Sequence, residues 1–182
     1  SAARSFRLRD TAATLEDPPA PSPLPHLTGE VTFDHVSFAY NEGDWVLRDV
    51  DLTIGAGESV AIVGATGAGK TSIISLISRF YDAQRGRILL DGVDLRQMRQ
   101  RDVRAHVGVV LQDPFIFAGT IASNIRLKDA AIGDERVRAA ARFVNADAFI
   151  QRLPQGYDTP VTERGSTLSV GQKQLLAFAR AI

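Results

Sequence analysis

The residues best suited to chemistry are Gly64, Ala65, Thr66, Gly67, Ala68, Gly69, Lys70 and Thr71, a complete GxxxxGK[ST] run. Glycines at these places let backbone N–H groups curl around phosphate oxygens. A helix beginning at the end of the run adds its positive end to the same anion. Lys70 is placed to reach the β- and γ-phosphates, and the Thr71 hydroxyl to coordinate Mg2+. The plain alternative is a glycine-rich turn. The setting favours the phosphate loop: the apolar run Ser59–Val63 reads as a strand before it, and Ser72 to Phe80 as a helix after it.

The neighbouring elements follow from periodicity. Glu30 to Ala39 alternates in part and predicts a strand bulged near Asp34–His35. Val46 to Ile54 alternates well, as an antiparallel strand with one wet face does. The unbroken run Val60–Val63 predicts a strand buried on both faces in a parallel core. In the helix after the loop, Ile73, Ile74, Leu76, Ile77 and Phe80 share a broad face. Arg87 to Leu90 is a short strand, Asp94 to Arg104 a short polar helix and loop, and Val107 to Leu111 a further core strand ending at Gln112. A polar residue at the carboxyl end of such a strand is where open α/β sheets meet ligands. Phe115, Ile116 and Phe117 then form either a docking surface or a local plug. Asp134 to Ile150 is helical, with a break at Asn145–Asp147. Ser169 is placed to cap a final helix whose expected buried positions are Leu175, Phe178, Ala179 and Ile182.

Composition narrows the function classes. The 182 residues carry 21 basic and 21 acidic side chains, so no net charge drives the chain to nucleic acid or anionic membrane. Arg96, Arg99, Arg101 and Arg104 then read as a solvated face rather than a polyanion site. With no cysteine, disulfides, thiolate chemistry and cysteine zinc sites are excluded. His26, His35 and His106 show no metal-ligand spacing. No apolar run reaches transmembrane length and no signal-peptide core is present, which predicts a soluble piece. Residues 1–29 read as a lead-in, with the proline-rich Asp17–Pro25 as a semi-extended tether and a terminal helix around Arg4, Phe6, Arg7, Leu8 and Arg9 as one option.

Three ordered motifs carry a family resemblance over Glu30–Ile182. Gly64–Thr71 is similar to a Walker A motif, Gln112 to the Q-loop glutamine, and Leu168-Ser169-Val170-Gly171-Gln172 to the signature of ATP-binding cassette (ABC) proteins. The chain thus resembles the nucleotide-binding domain of an exporter-type ABC transporter. The resemblance implies an α/β P-loop NTPase core of ABC type, with an antiparallel N-terminal β-subdomain, a helical subdomain near 115–165 and an incomplete C-terminal part. It implies ATP and Mg2+ as ligands. Tyr40 would stack on adenine. Gly64 to Thr71 and Ser72 would hold phosphates, and Thr71 and Gln112 the metal. Ser169, Gly171 and Gln172 would reach ATP on an opposed domain. Glu163-Arg164-Gly165 resembles an exporter X-loop, with Thr162 where glycine is common, and Val170 stands in place of the first glycine of the usual signature pair.

The resemblance further implies a second nucleotide-binding domain and transmembrane domains as partners, no nucleic acid, and a membrane-associated parent with this domain on the cytoplasmic side. Asp113 to Ile125 would belong to the surface that receives the membrane domains. Walker B, the catalytic glutamate, D-loop and switch histidine have no match in residues 1–182; neither His106 nor Glu163 lies in the right order to serve. Hydrolysis by this chain alone is therefore expected to be deficient, and strands flanking the absent Walker B strand, with apolar helix faces, are expected to be exposed. Two other readings are a non-hydrolysing ATP-dependent regulatory module, kept open by Val170, and a soluble ABC ATPase.

Overall fold

The computed structural model describes residues 15–22, 27–127, 129 and 131–182. Residues 4–9, where the sequence leaves a terminal helix and a frayed end both open, part of the proline-rich stretch, and His26 lie outside the described residues. The chain divides into two compact units, Ser1–Val107 and Gly108–Ile182. Each has its own apolar core.

In the first unit, strands β1 (Val31–Ala39), β2 (Trp45–Ile54), β3 (Arg85–Leu90) and β4 (Val93–Asp94) form one antiparallel sheet in the order β2-β1-β3-β4. β1 pairs Phe33 with Leu52 and then shifts to pair Val36 with Val50. The expected bulge is there, with His35 at φ 51°. Its effect is on the pleat. Phe33 and Val36 are three apart and would face opposite sides of a regular strand; the extra residue turns both inward, with Phe38 two further on. Each such buried side chain contributes about 1.5–3 kcal/mol. Helices α1 (Lys70–Ile77) and α2 (Gln100–His106) add Ile73, Leu76 and Val103 to the same core. Of the five residues expected on the buried face of the first helix, Ile74 and Phe80 are exposed.

The lead-in is held rather than loose where it is described. Arg79, 1% exposed, donates from Nη2 to Glu16 O at 3.1 Å, from Nη1 to Met98 O and from Nε to Asp82 at 3.2 Å. Asp17 accepts from Gln100 N at 2.8 Å, and Ser22 N donates to Gln97 O at 2.8 Å. Proline deprives the segment of sheet donors, yet the Glu16 carbonyl, the Asp17 carboxylate and the Ser22 N–H remain, and these hold the stretch in place.

Two sequence expectations are corrected. Ser59–Val63 and Val107–Leu111 are not strands, and neither is buried: Val63 is 88% and Leu111 63% exposed. An apolar run becomes a buried strand only where neighbours take its N–H and C=O groups. Among the described residues, no strand pairs with either run. Three of the four arginines are engaged by the chain itself: Arg96 pairs with Asp94, Arg101 with Asp102, and Arg104 bonds the Ser78 and Arg79 carbonyls.

The second unit is helical apart from a two-stranded antiparallel pair, β5 (Gly119–Thr120) and β6 (Pro160–Val161). Helices α3 (Ile121–Ile125), α4 (Asp134–Phe143), α5 (Asp147–Ile150) and α6 (Val170–Ala181) enclose Ile116, Ile121, Ile125, Val137, Ala141, Ile150 and Leu176. The break between α4 and α5 falls at Asn145, whose φ is 59°. On α6 the buried residues are Leu176, Ala177 and Ala179; Phe178 and Ile182 are exposed, against expectation. No helix among the described residues is long and apolar enough to cross a membrane.

Candidate functional site

The phosphate-loop residues lie in the first unit, in the turn that leads into α1. Thr66 to Gly69 turn sharply, with Ala68 N bonded to Ala65 O at 3.1 Å. Gly69 is the residue before the helix, at φ 84° and ψ 5°. A Cβ there would lie 2.7 Å from Leu47 Cδ2 and 3.3 Å from Val46 O, so both conformation and space require glycine. Gly64 to Ala68 and Thr71 are exposed. Lys70 Nζ donates to Gly64 O and Ala65 O, each at 2.8 Å. The ammonium thus lies across the backbone of the loop and bonds groups that an incoming anion need not displace from any side-chain partner. No acidic side chain stands in the first turn of α1, so none within that turn opposes an anion at its N-terminus. The loop residues fit a triphosphate, and the exposed Thr71 hydroxyl fits a hard cation beside it.

Tyr40 is the first residue beyond β1, and it is 47% exposed. Its hydroxyl lies 3.0 Å from Ser72 Oγ on α1. The ring meets Phe38 edge-on at 4.8 Å and Tyr81 edge-on at 5.2 Å, with no parallel stacking partner among the described residues. Just before it, Ala39 N donates to Gln84 Oε1 at 3.0 Å, and Gln84 Nε2 donates to Ala39 O at 2.8 Å. Sequence reading missed Tyr81 and Gln84. Both lie in the loop between α1 and β3, where neither periodicity nor a motif marks them.

In the second unit, Gln112 is exposed in a loop. Of the three apolar residues after it, Ile116 is a core plug, whereas Phe115 and Phe117 are exposed and pack edge-on at 4.9 Å. The plug role therefore falls to Ile116 alone, and Phe115 and Phe117 remain at the surface. Buried Asn124 organises this stretch: it accepts from Phe117 N at 2.8 Å and donates to Phe117 O and Thr120 O at 2.9 Å. Arg180 ties the same loop to α6, donating to Asn124 O at 2.7 Å and Phe115 O at 2.6 Å.

Ser169 caps α6 as expected. Its Oγ accepts from Gln172 N at 3.2 Å, and Gln172 Oε1 accepts from Ser169 N at 2.9 Å, a reciprocal capping box. Val170 is the first helical residue and is 70% exposed; Gly171 follows, also exposed, with open space where a Cβ would be. The helix start therefore presents free N–H groups beside a β-branched side chain. Gly165 in the preceding turn packs against Ile116, and Arg164 N donates to Ile116 O at 2.8 Å.

The histidines are not equivalent. His106 Nδ1 lies 2.8 Å from Asp102 O within its own helix. The bulge carries His35 to 2.9 Å from Asp49 and 3.3 Å from Asp51, and ligand atoms of Asp34, His35 and Asp51 fall within 4.8 Å of one another. Sequence spacing does not reveal this grouping, because strand pairing creates it. The Asp49 hydrogen bond, then the Asp51 and Asp49 charges, raise the His35 pKa above its ordinary value.

The chain's residues 47–182 match the family model described as ABC transporter. The chain is 46% identical over 180 residues to a fatty acid ABC transporter ATP-binding/permease protein of Mycobacterium bovis, covering 98% of this chain and 28% of that protein. It is 45% identical over 181 residues to the uncharacterized ABC transporter ATP-binding protein YfiC of Bacillus subtilis, covering 100% of this chain and 30% of that protein. A solved bacterial Atm1-family ABC exporter with ATP bound superposes with a TM-score of 0.91 at 44% identity, covering 99% of this chain and 32% of that one. The chain thus spans under a third of the length of these relatives.

Proposed function

This chain belongs to the ABC transporter family as a nucleotide-binding domain, and from that premise we propose that it holds Mg2+-ATP for an exporter that moves a substrate across a membrane. The observation that carries the reading is the pairing of an open, lysine-spanned phosphate loop with an aromatic ring hydrogen-bonded to the same helix, Tyr40 to Ser72 at 3.0 Å. In this reading the loop N–H groups of residues 64–71 grip phosphate oxygens, and Lys70 exchanges its two carbonyl partners for phosphate. Tyr40 offers its ring to adenine. The Thr71 hydroxyl holds Mg2+, which when bound would neutralise charge developing on the phosphates, and the Gln112 amide oxygen in the second unit is a hard donor of the type that metal takes.

The start of α6 serves a second nucleotide. Ser169, Gly171 and Gln172 present a capped helix N-terminus to ATP held by an opposed domain. ATP then contributes contacts that neither protein surface supplies alone, so nucleotide favours the closed pair. Exposed Phe115 and Phe117, anchored through Arg180 and Asn124, serve as the contact for transmembrane domains. Residues 30–182 form part of the nucleotide-binding domain, with 115–165 as its helical subdomain and 1–29 as the lead-in. Walker B and the catalytic glutamate lie outside residues 1–182 in this reading. The exposure of Val63, Leu111 and Phe178 supports it, since each is an apolar surface without a covering element among the described residues.

The decisive assay is ATP hydrolysis by the intact parent in membranes and by the 182-residue chain. Lys70→Ala should lower the parent's rate by about 10²-fold or more, as loss of a transition-state charge contact does. A parent rate unchanged by Lys70→Ala, or a parent-like rate from the 182-residue chain, contradicts the proposal. Exposed Val170 favours a second reading, a nucleotide-dependent regulatory domain that does not hydrolyse. A Val170→Gly parent that gains hydrolysis from a silent wild type would establish it.

A further inference from the structure

Tyr40 is held from more directions than an aromatic residue at a strand end requires. The β1–β3 ladder ends at the pair Ser37–Arg85. Gln84, the residue before β3, continues that ladder with its side chain: its amide takes both the N–H and the C=O of Ala39, at 3.0 and 2.8 Å. The backbone is thereby fixed one residue before Tyr40. Tyr81, from the same loop, presses edge-on against the Tyr40 ring at 5.2 Å, with an interplanar angle of 86°. Phe38 buttresses both rings, at 4.8 Å from Tyr40 and 5.5 Å from Tyr81. Ser72 holds the hydroxyl end at 3.0 Å. Nearly half of Tyr40 remains exposed despite these contacts.

We propose that Tyr81 and Gln84 are positioning residues for nucleotide recognition: they orient the Tyr40 ring and so set the base-dependent part of ATP affinity. This rests on the reading that Tyr40 receives the adenine. The physical basis is preorganisation. An exposed side chain one residue past a strand end ordinarily samples several rotamers, and ordering it on binding costs free energy. Here the backbone clamp and the edge contacts have ordered it beforehand. A base then meets a ring already in place beside the phosphate loop. The two aromatic contacts are edge-on, a preferred geometry that leaves stacking area available. Gln84 is suited to its part because an amide carries a donor and an acceptor at the spacing of a backbone peptide. Asparagine, one methylene shorter, cannot span the same gap.

The test compares Mg2+-ATP with Mg2+-tripolyphosphate by titration calorimetry on the 182-residue chain. Tripolyphosphate shares the phosphate-loop contacts and has no base. Gln84→Asn, Gln84→Leu and Tyr81→Leu should each weaken ATP about 3–10-fold, a part of what one stacked base contributes. Tripolyphosphate affinity should stay within about twofold, which also reports that the loop is folded. Tyr81→Phe, which keeps the ring edge, should bind ATP as the wild type does. Parallel loss of ATP and tripolyphosphate would show a merely structural role and overturn the proposal. Unchanged ATP affinity in the Gln84 and Tyr81→Leu variants, while Tyr40→Ala loses it, overturns the positioning role but keeps the stacking role. If Tyr40→Ala itself leaves ATP affinity intact, the underlying reading fails, and the proposal with it.

Discussion

Alanine substitutions at Gly69 and Gly67 should separate conformational cost from steric cost within one loop. Both glycines are left-handed, at φ 84° and 85°. An L-residue in that region loses about 1–2 kcal/mol. At Gly67 nothing lies within 4 Å of the added Cβ, so the conformational term stands alone. At Gly69 the Cβ would lie 2.7 Å from Leu47 Cδ2, and Leu47 is a buried core side chain. Overpacking of this kind adds about 1–3 kcal/mol. Alanine also restricts the unfolded chain, an offset of about 0.4–1 kcal/mol that is common to both variants and cancels between them. Gly69→Ala should therefore cost about 2–5 kcal/mol before that offset, and Gly67→Ala about 1–2. Urea unfolding followed by circular dichroism reads the difference as a lowered midpoint at constant slope. Because Gly69 also sets where α1 begins, Gly69→Ala should weaken ATP more than Gly67→Ala does. Equal midpoints for the two variants would refute the steric part of the reasoning.

Other perturbations probe separate parts of the molecule. The Asp91 carboxylate is held at about 2, below the ordinary 3.8, chiefly by the Thr28 hydroxyl and also by the N–H groups of Gly29, Glu30 and Thr28. Its folded pKa lies below the unfolded one, so its stabilisation is complete above about pH 4 and is lost as pH falls through 2; in Asp91→Asn this acid-dependent part of the urea midpoint should vanish. His35 has the opposite sign: its raised pKa stabilises the fold below about pH 6.5 and the effect fades as pH rises through the folded value. Asp49→Asn should move its NMR titration downward. Arg79→Leu removes the partner of the Met98 and Glu16 carbonyls and should cost about 2–5 kcal/mol, with hydrogen-exchange protection lost at Gln100 N. Ser169→Ala breaks the capping box and should cost about 0.5–2 kcal/mol in the same urea assay.

What could be read from the sequence follows a physical divide. Local rules held where the partners are local: alternation placed β1 and β2, the break at Asn145 separated two helices, and Ser169 caps α6. The phosphate loop was legible because its chemistry demands residue types at fixed spacing. Burial was less legible. Val60–Val63 and Val107–Leu111 have the composition of core strands, but the described chain supplies no strand to pair with them. Phe178 and Ile182 fit a helical period and are nevertheless exposed. Contacts made across long sequence separations left no sequence signal at all. Gln84 reaches Ala39, Arg79 reaches Glu16, and Arg180 reaches Asn124 only once the fold exists.

In the proposed function the phosphate loop holds ATP through Lys70, and Tyr40 receives its base. Titration calorimetry of Mg2+-ATP and Mg2+-tripolyphosphate into wild type, Lys70→Ala and Tyr40→Ala tests it most directly. Lys70→Ala should abolish or strongly weaken both ligands, while Tyr40→Ala should weaken ATP alone. ATP binding that survives Lys70→Ala unchanged would mean that the loop does not hold the nucleotide through Lys70.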